Sequence, residues 1–157
     1  MSKQRNFARS KFVEFFGWCD LVCRFRQHEV AVMGDVEKMF YQVKLPESHQ
    51  DFFRFVWWPG GDSSQPLQEF RMTVHILGCI SSPSCANYAL KRTADDNKDR
   101  FSNEDAKVMK RDFYFDDFLH SADDAKTASN RLSNIKQLSS LGGFNLHKFI
   151  SNSREVL

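Results

Sequence analysis

The sequence predicts an α+β fold in which an antiparallel sheet carries helices packed on one face. Three observations predict it. Short apolar runs bounded by turn residues recur along the chain and are typical of strands. Longer segments show apolar residues at helical spacing instead. The two kinds of segment follow one another in the order strand, hairpin, helix, hairpin, helix, strand.

The first half of the chain predicts one strand and one hairpin. Val30 to Met33 form an apolar run that Gly34 and Asp35 follow, which is the pattern of a buried strand ending in a carboxylate. The runs DFFRFVWW and LQEFRMTVHIL, joined by PGGDSSQP, predict a hairpin with a long loop. Trp57 and Trp58 could stack on bases. Adjacent strand residues point to opposite faces, so we expect at least one of them in the core.

Two helices and a last strand are predicted in the second half. In SSPSCANYALKRTADDN, Ser82 is the predicted N-cap and Pro83 the first helical residue. Ser121, with Asp124 three residues later, forms a capping-box pattern before the second helix. The apolar stripe of that helix is Ala125, Ala128, Leu132, Ile135 and Leu138, and Gly142-Gly143 ends it. FNLHKFI predicts the final short strand.

Length and composition indicate a globular protein. A chain of 157 residues suits one domain, and 41% hydrophobic and 14% aromatic residues argue against disorder. The formal charge of +2 is too small to predict a nucleic-acid partner by itself. No apolar run reaches the ~18 residues of a membrane helix, so we expect neither signal peptide nor anchor.

The four cysteines show no metal-ligand spacing. Cys19 and Cys23 lack a second pair of ligands, and the surroundings of all four are apolar, which favours buried, reduced thiols. We therefore expect an intracellular protein, located in the cytoplasm or the nucleus.

The segment RDFYFDDFLH places Asp116 and Asp117 within an aromatic run. Asp is depleted in strands and rarely buried without a partner, so a bend between two strands with a bound cation is expected. The other aspartate pairs, 95–96 and 123–124, have small or polar neighbours and are typical of solvated turns or helix N-termini.

Asp35 would converge with Asp116 and Asp117 if their strands are neighbours in the sheet. Three carboxylates suit Mg²⁺ or Mn²⁺, and two such ions favour phosphoryl or nucleotidyl transfer. Spacing alone leaves open that these are three unrelated surface aspartates. His75 and His147 show no metal-ligand spacing and are interpreted as ordinary strand residues.

Four segments together resemble the palm motifs of reverse transcriptases, in the same order. They are DVEKMF (35–40), ILGCISSPSCANYAL, YFDD (114–117) and LGGFNLHKF. The sequences around the first and last motifs are similar to those of the Pao/BEL group of LTR retrotransposon polyproteins. The resemblance covers residues 21–157 and implies a palm-like domain with fingers and thumb largely missing. It leaves 1–20 as a divergent N-terminal segment.

The resemblance implies specific roles for individual residues. Asp35, Asp116 and Asp117 would be the catalytic triad and would hold two Mg²⁺ or Mn²⁺ ions. The substrate-binding residues would be Phe40 as steric gate, Gly78, Ser82 and Pro83 beside the nucleotide, Tyr114 near the primer terminus, and Lys148 at the triphosphate. The implied partners are an RNA or DNA template with primer, a dNTP and the rest of a retroelement polyprotein, with no membrane.

Other interpretations stay open at this point. Phe40 also suits a core ring, Ser82-Pro83 a helix cap, Tyr114 a strand aromatic and Lys148 an ordinary surface lysine. The whole chain also suits a catalytically inactive retroelement remnant that binds nucleic acid or protein. A stand-alone Mg²⁺-dependent nuclease or phosphatase would use the same carboxylates, but the motif order does not favour it.

Overall fold

The computed structural model describes residues 17–157, so most of the predicted N-terminal segment 1–20 lies outside the described residues. The described residues form two compact units. The first consists of 17–37 and 90–157, and the second of 38–89. Both units contain residues of the range 21–157, for which the sequence predicts one palm-like domain.

The elements follow the predicted order, with additions. The strands are β1 Val30–Val36, β2 Arg54–Trp57, β3 Gln68–Arg71, β4 Phe113–Tyr114, β5 Asp117–Ala122 and β6 Leu146–Ser151. The helices are 17–25 (α1), α2 Glu47–Gln50, α3 Ser82–Asp96, α4 Asn103–Arg111 and α5 Ala125–Leu141. Short 3-10 segments lie at Met39–Gln42, Asp51–Phe53 and Pro59–Gly61. The sequence patterns did not predict α1, α2 or α4.

An antiparallel sheet organises the first unit and confirms the α+β class. Within the described residues its strands are ordered β4-β5-β1-β6. Val30, Val32 and Val36 of β1 are buried, and α5 packs against β1, β5 and β6. The alternate positions of β1 include Met33, which is exposed, and Asp35, so the two faces of the sheet differ.

Helix α5 buries most of its predicted apolar stripe, Ala128, Leu132, Ile135 and Leu138. Its N-cap, however, is Asp124, whose carboxylate accepts a hydrogen bond from the N–H of Thr127 at 2.8 Å. Ser121 still belongs to β5, and its hydroxyl donates to the carbonyl of Arg24 in α1 at 3.0 Å. The capping box predicted at Ser121 is therefore wrong, because the strand continues through that residue.

Helix α1 meets the sheet at Ser121. In the β1–β5 register Ser121 is opposite Ala31, whereas buried Val32 is opposite His120. Since neighbouring strand positions point to opposite faces, α1 lies on the face away from Val32. Helix α5 packs on the sheet as expected, and α1, which the sequence did not predict, contacts the sheet at Ser121.

The capping box of this unit is at Ser102 and Asp105, at the start of α4. The Ser102 hydroxyl accepts from the N–H of Asp105, and the Asp105 carboxylate accepts from the N–H of Ser102, both at 3.1 Å. Asp105 is only 2% exposed and also accepts hydrogen bonds from Arg131 and Asn134 of α5. Burial by itself raises the pKa of Asp105, but hydrogen bonds from all three partners and the charge of Arg131 more than offset it, and the pKa lies below its usual value.

Gly142 follows α5 where the sequence predicts the helix to end. A Cβ at this position would overlap the hydroxyl of Thr93 and lie 2.9 Å from its Cγ2. Its φ of −90° is ordinary for any residue, so the need for glycine comes from this close approach and not from the backbone.

We expect Gly142→Ala to lower the free energy of unfolding by about 2 kcal/mol, because the added methyl group overpacks a buried contact. Urea denaturation measures the loss. In a double variant with Thr93→Ala most of the loss should be recovered, since the two sites touch. An equal loss with and without the Thr93 side chain would contradict the steric explanation.

Strand β6 contains a β-bulge opposite Gly34. Met33 and Asp35 of β1 are two positions apart, but their partners Ile150 and His147 are three apart, so β6 carries one extra residue. Lys148, within the bulge, has a φ of 52°, a value that non-glycine residues rarely adopt.

The second unit contains the predicted hairpin, β2 paired with β3. Phe55 and Phe70 face each other across the strands, and their rings stack at 5.7 Å between centroids. All residues of both strands are exposed. Trp57 is 53% exposed and Trp58 is half-buried, so the expectation that at least one of them is a core residue is wrong.

Helix α3 begins one residue earlier than predicted. Ser82 is its first residue and Pro83 its second, and the carbonyl of Ser81 accepts from the N–H of Cys85. The Ser82 hydroxyl is buried 3.2 Å from Nδ1 of His75, so it does not act as the N-cap. Burial lowers the pKa of His75.

The described cysteines and helices bear on two expectations, that of buried thiols and that of no membrane anchor. The cysteines in the described part of the chain form no disulfide, but Cys23 is exposed and the other three are half-buried, so the prediction of buried thiols is wrong. Between residues 17 and 157 there is no helix with the length and apolar character that a membrane crossing needs.

Candidate active site

Strand pairing in the first unit brings the three predicted aspartates together. Asp35 in β1 is directly opposite Asp117 in β5. Asp116 occupies the tight turn between β4 and β5, next to Asp117. The carbonyl of Asp116 accepts a hydrogen bond from the N–H of Val36 at 2.8 Å, which fixes the turn against the end of β1. The predicted convergence of the carboxylate-bearing strands is therefore present.

The turn itself is a two-residue hairpin connection made by Phe115 and Asp116. Tyr114 and Asp117 pair across it, and Phe115 has a φ of 53°. Two-residue hairpin loops need positive φ values because these match the twist of the strands, and they usually contain glycine or asparagine there. A phenylalanine in this conformation is strained, and such strain is characteristic of functional sites.

The carboxylates of the turn and of β1 repel one another. The pKa of Asp117 is raised above its usual value, first by partial removal from water and then by the negative charges of Asp116 and Asp35. The negative charges of Asp116 and Asp35 therefore add to the effect of burial on Asp117. Bound cations would relieve this repulsion.

The raised pKa of Asp117 has a consequence for stability. In the folded chain Asp117 keeps its proton at pH values where the unfolded chain has lost it, so stability falls as the pH rises through the folded pKa. We therefore expect Asp117→Asn to be more stable than the wild type at pH 7, by less than about 1 kcal/mol because solvent screens an exposed carboxylate.

Urea midpoints at pH 7 and at pH 3, measured without divalent ions, test this expectation. The difference in urea midpoint between Asp117→Asn and the wild type should vanish at pH 3, where Asp117 is protonated in both the folded and the unfolded state. Asp123→Asn makes the same chemical change at an exposed aspartate that pairs with His28, and it should give no gain at pH 7. A difference for Asp117→Asn that does not depend on pH would contradict the proposed repulsion.

Two donors from β6 hold Asp35. Its Oδ2 lies 3.2 Å from Nε2 of His147 and 3.5 Å from Nζ of Lys148. Throughout residues 17–157, no three His, Cys, Asp or Glu side chains already surround one point as metal ligands would. In this structure the Asp35 carboxylate thus contacts two side chains of β6. These contacts would affect how Asp35 binds a metal ion.

Two other predicted site residues belong to the same unit. Tyr114 is half-buried, with the ring of Trp18 at 4.6 Å and that of Phe115 at 4.5 Å between centroids. Lys148 is mostly exposed, and its amine contacts Asp35. The structure thus gathers Asp35, Asp116, Asp117 and Lys148 at one end of the sheet, with Tyr114 beside the turn.

The remaining predicted residues, Phe40, Gly78, Ser82 and Pro83, lie in the second unit. Phe40 is half-buried in a 3-10 segment, so it is not a fully buried core ring. Gly78 is exposed with a φ of 89°, and a Cβ there would meet nothing within 4 Å. Gly78 lines an open groove of about 870 Å³ with apolar residues of its own unit, among them Phe52 and Ile76.

Sequence reasoning missed His147. It was interpreted as an ordinary strand residue, but it is the register partner of Asp35 and contacts its carboxylate. The available signal was its place next to Lys148 in the last motif. Spacing alone could not show the contact, because it depends on the strand register and on the bulge in β6.

No protein-family model matches this chain, and no curated protein matches it.

Proposed function

We propose that this chain is the palm-like unit of an RNA-directed DNA polymerase related to the Pao/BEL retrotransposons. Its reaction would be nucleotidyl transfer from a dNTP to a primer 3′-hydroxyl on an RNA or DNA template. The observation that carries the proposal is the register that sets Asp35 opposite Asp117, with Asp116 in the adjoining turn. The order of the four motifs, which resembles that of reverse transcriptases, favours nucleotidyl transfer over other reactions of a divalent-metal site.

The donor set fits divalent cations. Asp35, Asp116 and Asp117 offer carboxylate oxygens, which Mg²⁺ and Mn²⁺ prefer. Partial burial raises the pKa of Asp117, and the negative charges of Asp116 and Asp35 raise it further, so bound cations would favour its ionised form. These residues would hold two ions. The ions, when bound, supply activation of the primer hydroxyl and neutralisation of the leaving pyrophosphate.

The chain's own residues would position the site. The hydrogen bond from Val36 to the Asp116 carbonyl holds the turn against β1, so the carboxylates do not depend on a mobile loop. In the reaction, the 3′-oxygen forms a bond to the α-phosphorus and the bond to pyrophosphate breaks. Asp35 and Asp116 would carry most of the coordination, and Asp117 would support it.

Primer extension by the purified chain tests the proposal. We expect extension of a primer on an RNA template with dNTPs and Mg²⁺ or Mn²⁺, and none after chelation. Hydrolysis of nucleic acid or phosphate esters without dNTPs would favour the nuclease or phosphatase interpretation instead. A folded protein that extends no primer would contradict the proposed activity.

A second candidate function is a binding module that retains the fold without the activity. The exposed aromatic side chains of the β2–β3 hairpin, Phe55, Trp57 and Phe70, favour it, because exposed aromatic surfaces commonly mark interaction sites. This alternative predicts RNA or protein binding that persists when Asp35, Asp116 and Asp117 are all replaced by asparagine.

A further inference from the structure

The bulge in β6 changes which side chains reach β1. In a regular strand, consecutive side chains point to opposite faces of the sheet. Here the consecutive residues His147 and Lys148 both contact the same oxygen, Oδ2 of Asp35. The extra residue and the positive φ of Lys148 make this possible, since a bulge redirects the side chains around it.

Packing on β1 fixes the bulge in place. The ring of Phe149 lies over Gly34, where a Cβ would be 2.8 Å from its Cε1. The amine of Lys136 in α5 lies 5.6 Å from the centre of the same ring. Gly34 thus provides the space that the bulge needs, and it directly precedes the aspartate that the bulge contacts.

The two donors differ in how they can hold a carboxylate. An ionised carboxylate only accepts hydrogen bonds, so Nε2 of His147 carries the donated proton. The imidazole is 28% exposed and is the register partner of Asp35, so its ring is held close to that carboxylate. Lys148 is 72% exposed on a flexible side chain and contacts at 3.5 Å. His147 is the better placed of the two to fix an orientation.

We propose that His147 is a positioning residue for Asp35. It donates a hydrogen bond to Oδ2 and so sets the orientation in which Asp35 would bind a divalent cation. This inference rests on the proposed function, because it takes Asp35 to be a metal ligand. Hydrogen-bond partners of metal ligands orient them, and their loss typically weakens metal binding by about 10- to 100-fold.

Calorimetric titration of the full chain with Mn²⁺, without nucleotide or template, tests the inference. His147→Leu keeps much of the side-chain volume but removes the donor, and we expect Mn²⁺ binding at least about tenfold weaker. His147→Gln keeps an N–H donor and should bind Mn²⁺ nearly as the wild type does. His28→Leu, at an exposed histidine that pairs with Asp123, is the matched control and should leave binding unchanged.

The outcomes separate this inference from the proposed function. If Asp35→Asn loses Mn²⁺ binding while His147→Leu binds like the wild type, the role of His147 is wrong and the metal site stands. If the wild type binds no Mn²⁺, or binds it equally well after Asp35→Asn, both proposals fail. Equal weakening by His147→Leu and His147→Gln would contradict the role of His147 as a hydrogen-bond donor, because glutamine keeps an N–H donor. The urea midpoint of each variant verifies that it is folded.

Discussion

Replacing Asp116 with asparagine is expected to lower the rate of primer extension by about 10³-fold or more. The carboxylate would be lost from the metal site, and metal ions typically contribute several kcal/mol to the stabilisation of such a transition state. The fold should persist, because the contact that Asp116 makes with Val36 uses its backbone carbonyl and not its side chain. Single-turnover extension at saturating Mn²⁺ measures the effect.

A matched control is available in another aspartate pair of the same unit, 123–124. Asp123 is exposed and pairs with His28, away from the β4–β5 turn, so Asp123→Asn should extend primers at the wild-type rate. Both variants should show the circular dichroism spectrum of the wild type. Equal extension by Asp116→Asn and the wild type would overturn the assignment of the triad.

Replacing Asp105 with alanine is expected to cause the largest loss of stability, about 3 kcal/mol. The carboxylate is almost fully buried, and Ser102, Arg131 and Asn134 all donate to it. Its removal would leave the partly buried guanidinium of Arg131 without this carboxylate and would break the link between α4 and α5. Urea denaturation at pH 7 gives the change in the free energy of unfolding.

The pH dependence of Asp105→Ala provides an independent test. Because the folded pKa of Asp105 lies below its usual value, its contribution is fully present above the usual aspartate pKa and is lost as the pH falls through the folded value. The difference in the free energy of unfolding between the wild type and Asp105→Ala should therefore become smaller at acidic pH. Asp124→Ala, which removes the exposed N-cap of α5, should cost clearly less at pH 7. Equal losses for the two variants would show that burial of Asp105 is unimportant.

The sequence predicts the order of strands and helices well where hydrophobic periodicity is strong. The stripe of α5 follows such a pattern, whereas strand β1 and the hairpin β2–β3 follow apolar runs bounded by turn residues. Helix α4 escaped prediction because its sequence NEDAKVMKR is mostly charged and has few apolar residues to define a period.

The capping boxes show why local patterns can mislead. The pattern of Ser followed three residues later by Asp occurs at Ser102 and again at Ser121. Only the first is a capping box, because β5 continues through Ser121 and leaves Asp124 as the cap. The two sequences are alike locally, and the difference comes from the strand that precedes the second.

The candidate site likewise has one part that local motifs predict and another that depends on how the strands pair. Motifs identify Asp35, Asp116 and Asp117, and an antiparallel register between β1 and β5 then brings them together. The contact of His147 with Asp35 depends on one extra residue in β6, and no pattern in the sequence specifies where a strand accommodates it.

That extra residue also bears on how the chain behaves at high concentration. Within the described residues β6 is paired on one side only, so its outer edge offers unpaired N–H and C=O groups to which another chain could add a strand. The bulge interrupts the regular spacing of those groups, and it places the mostly exposed lysine Lys148 in the middle of the edge. The irregularity that brings two donors to Asp35 therefore also makes this edge a poor template for fibril growth.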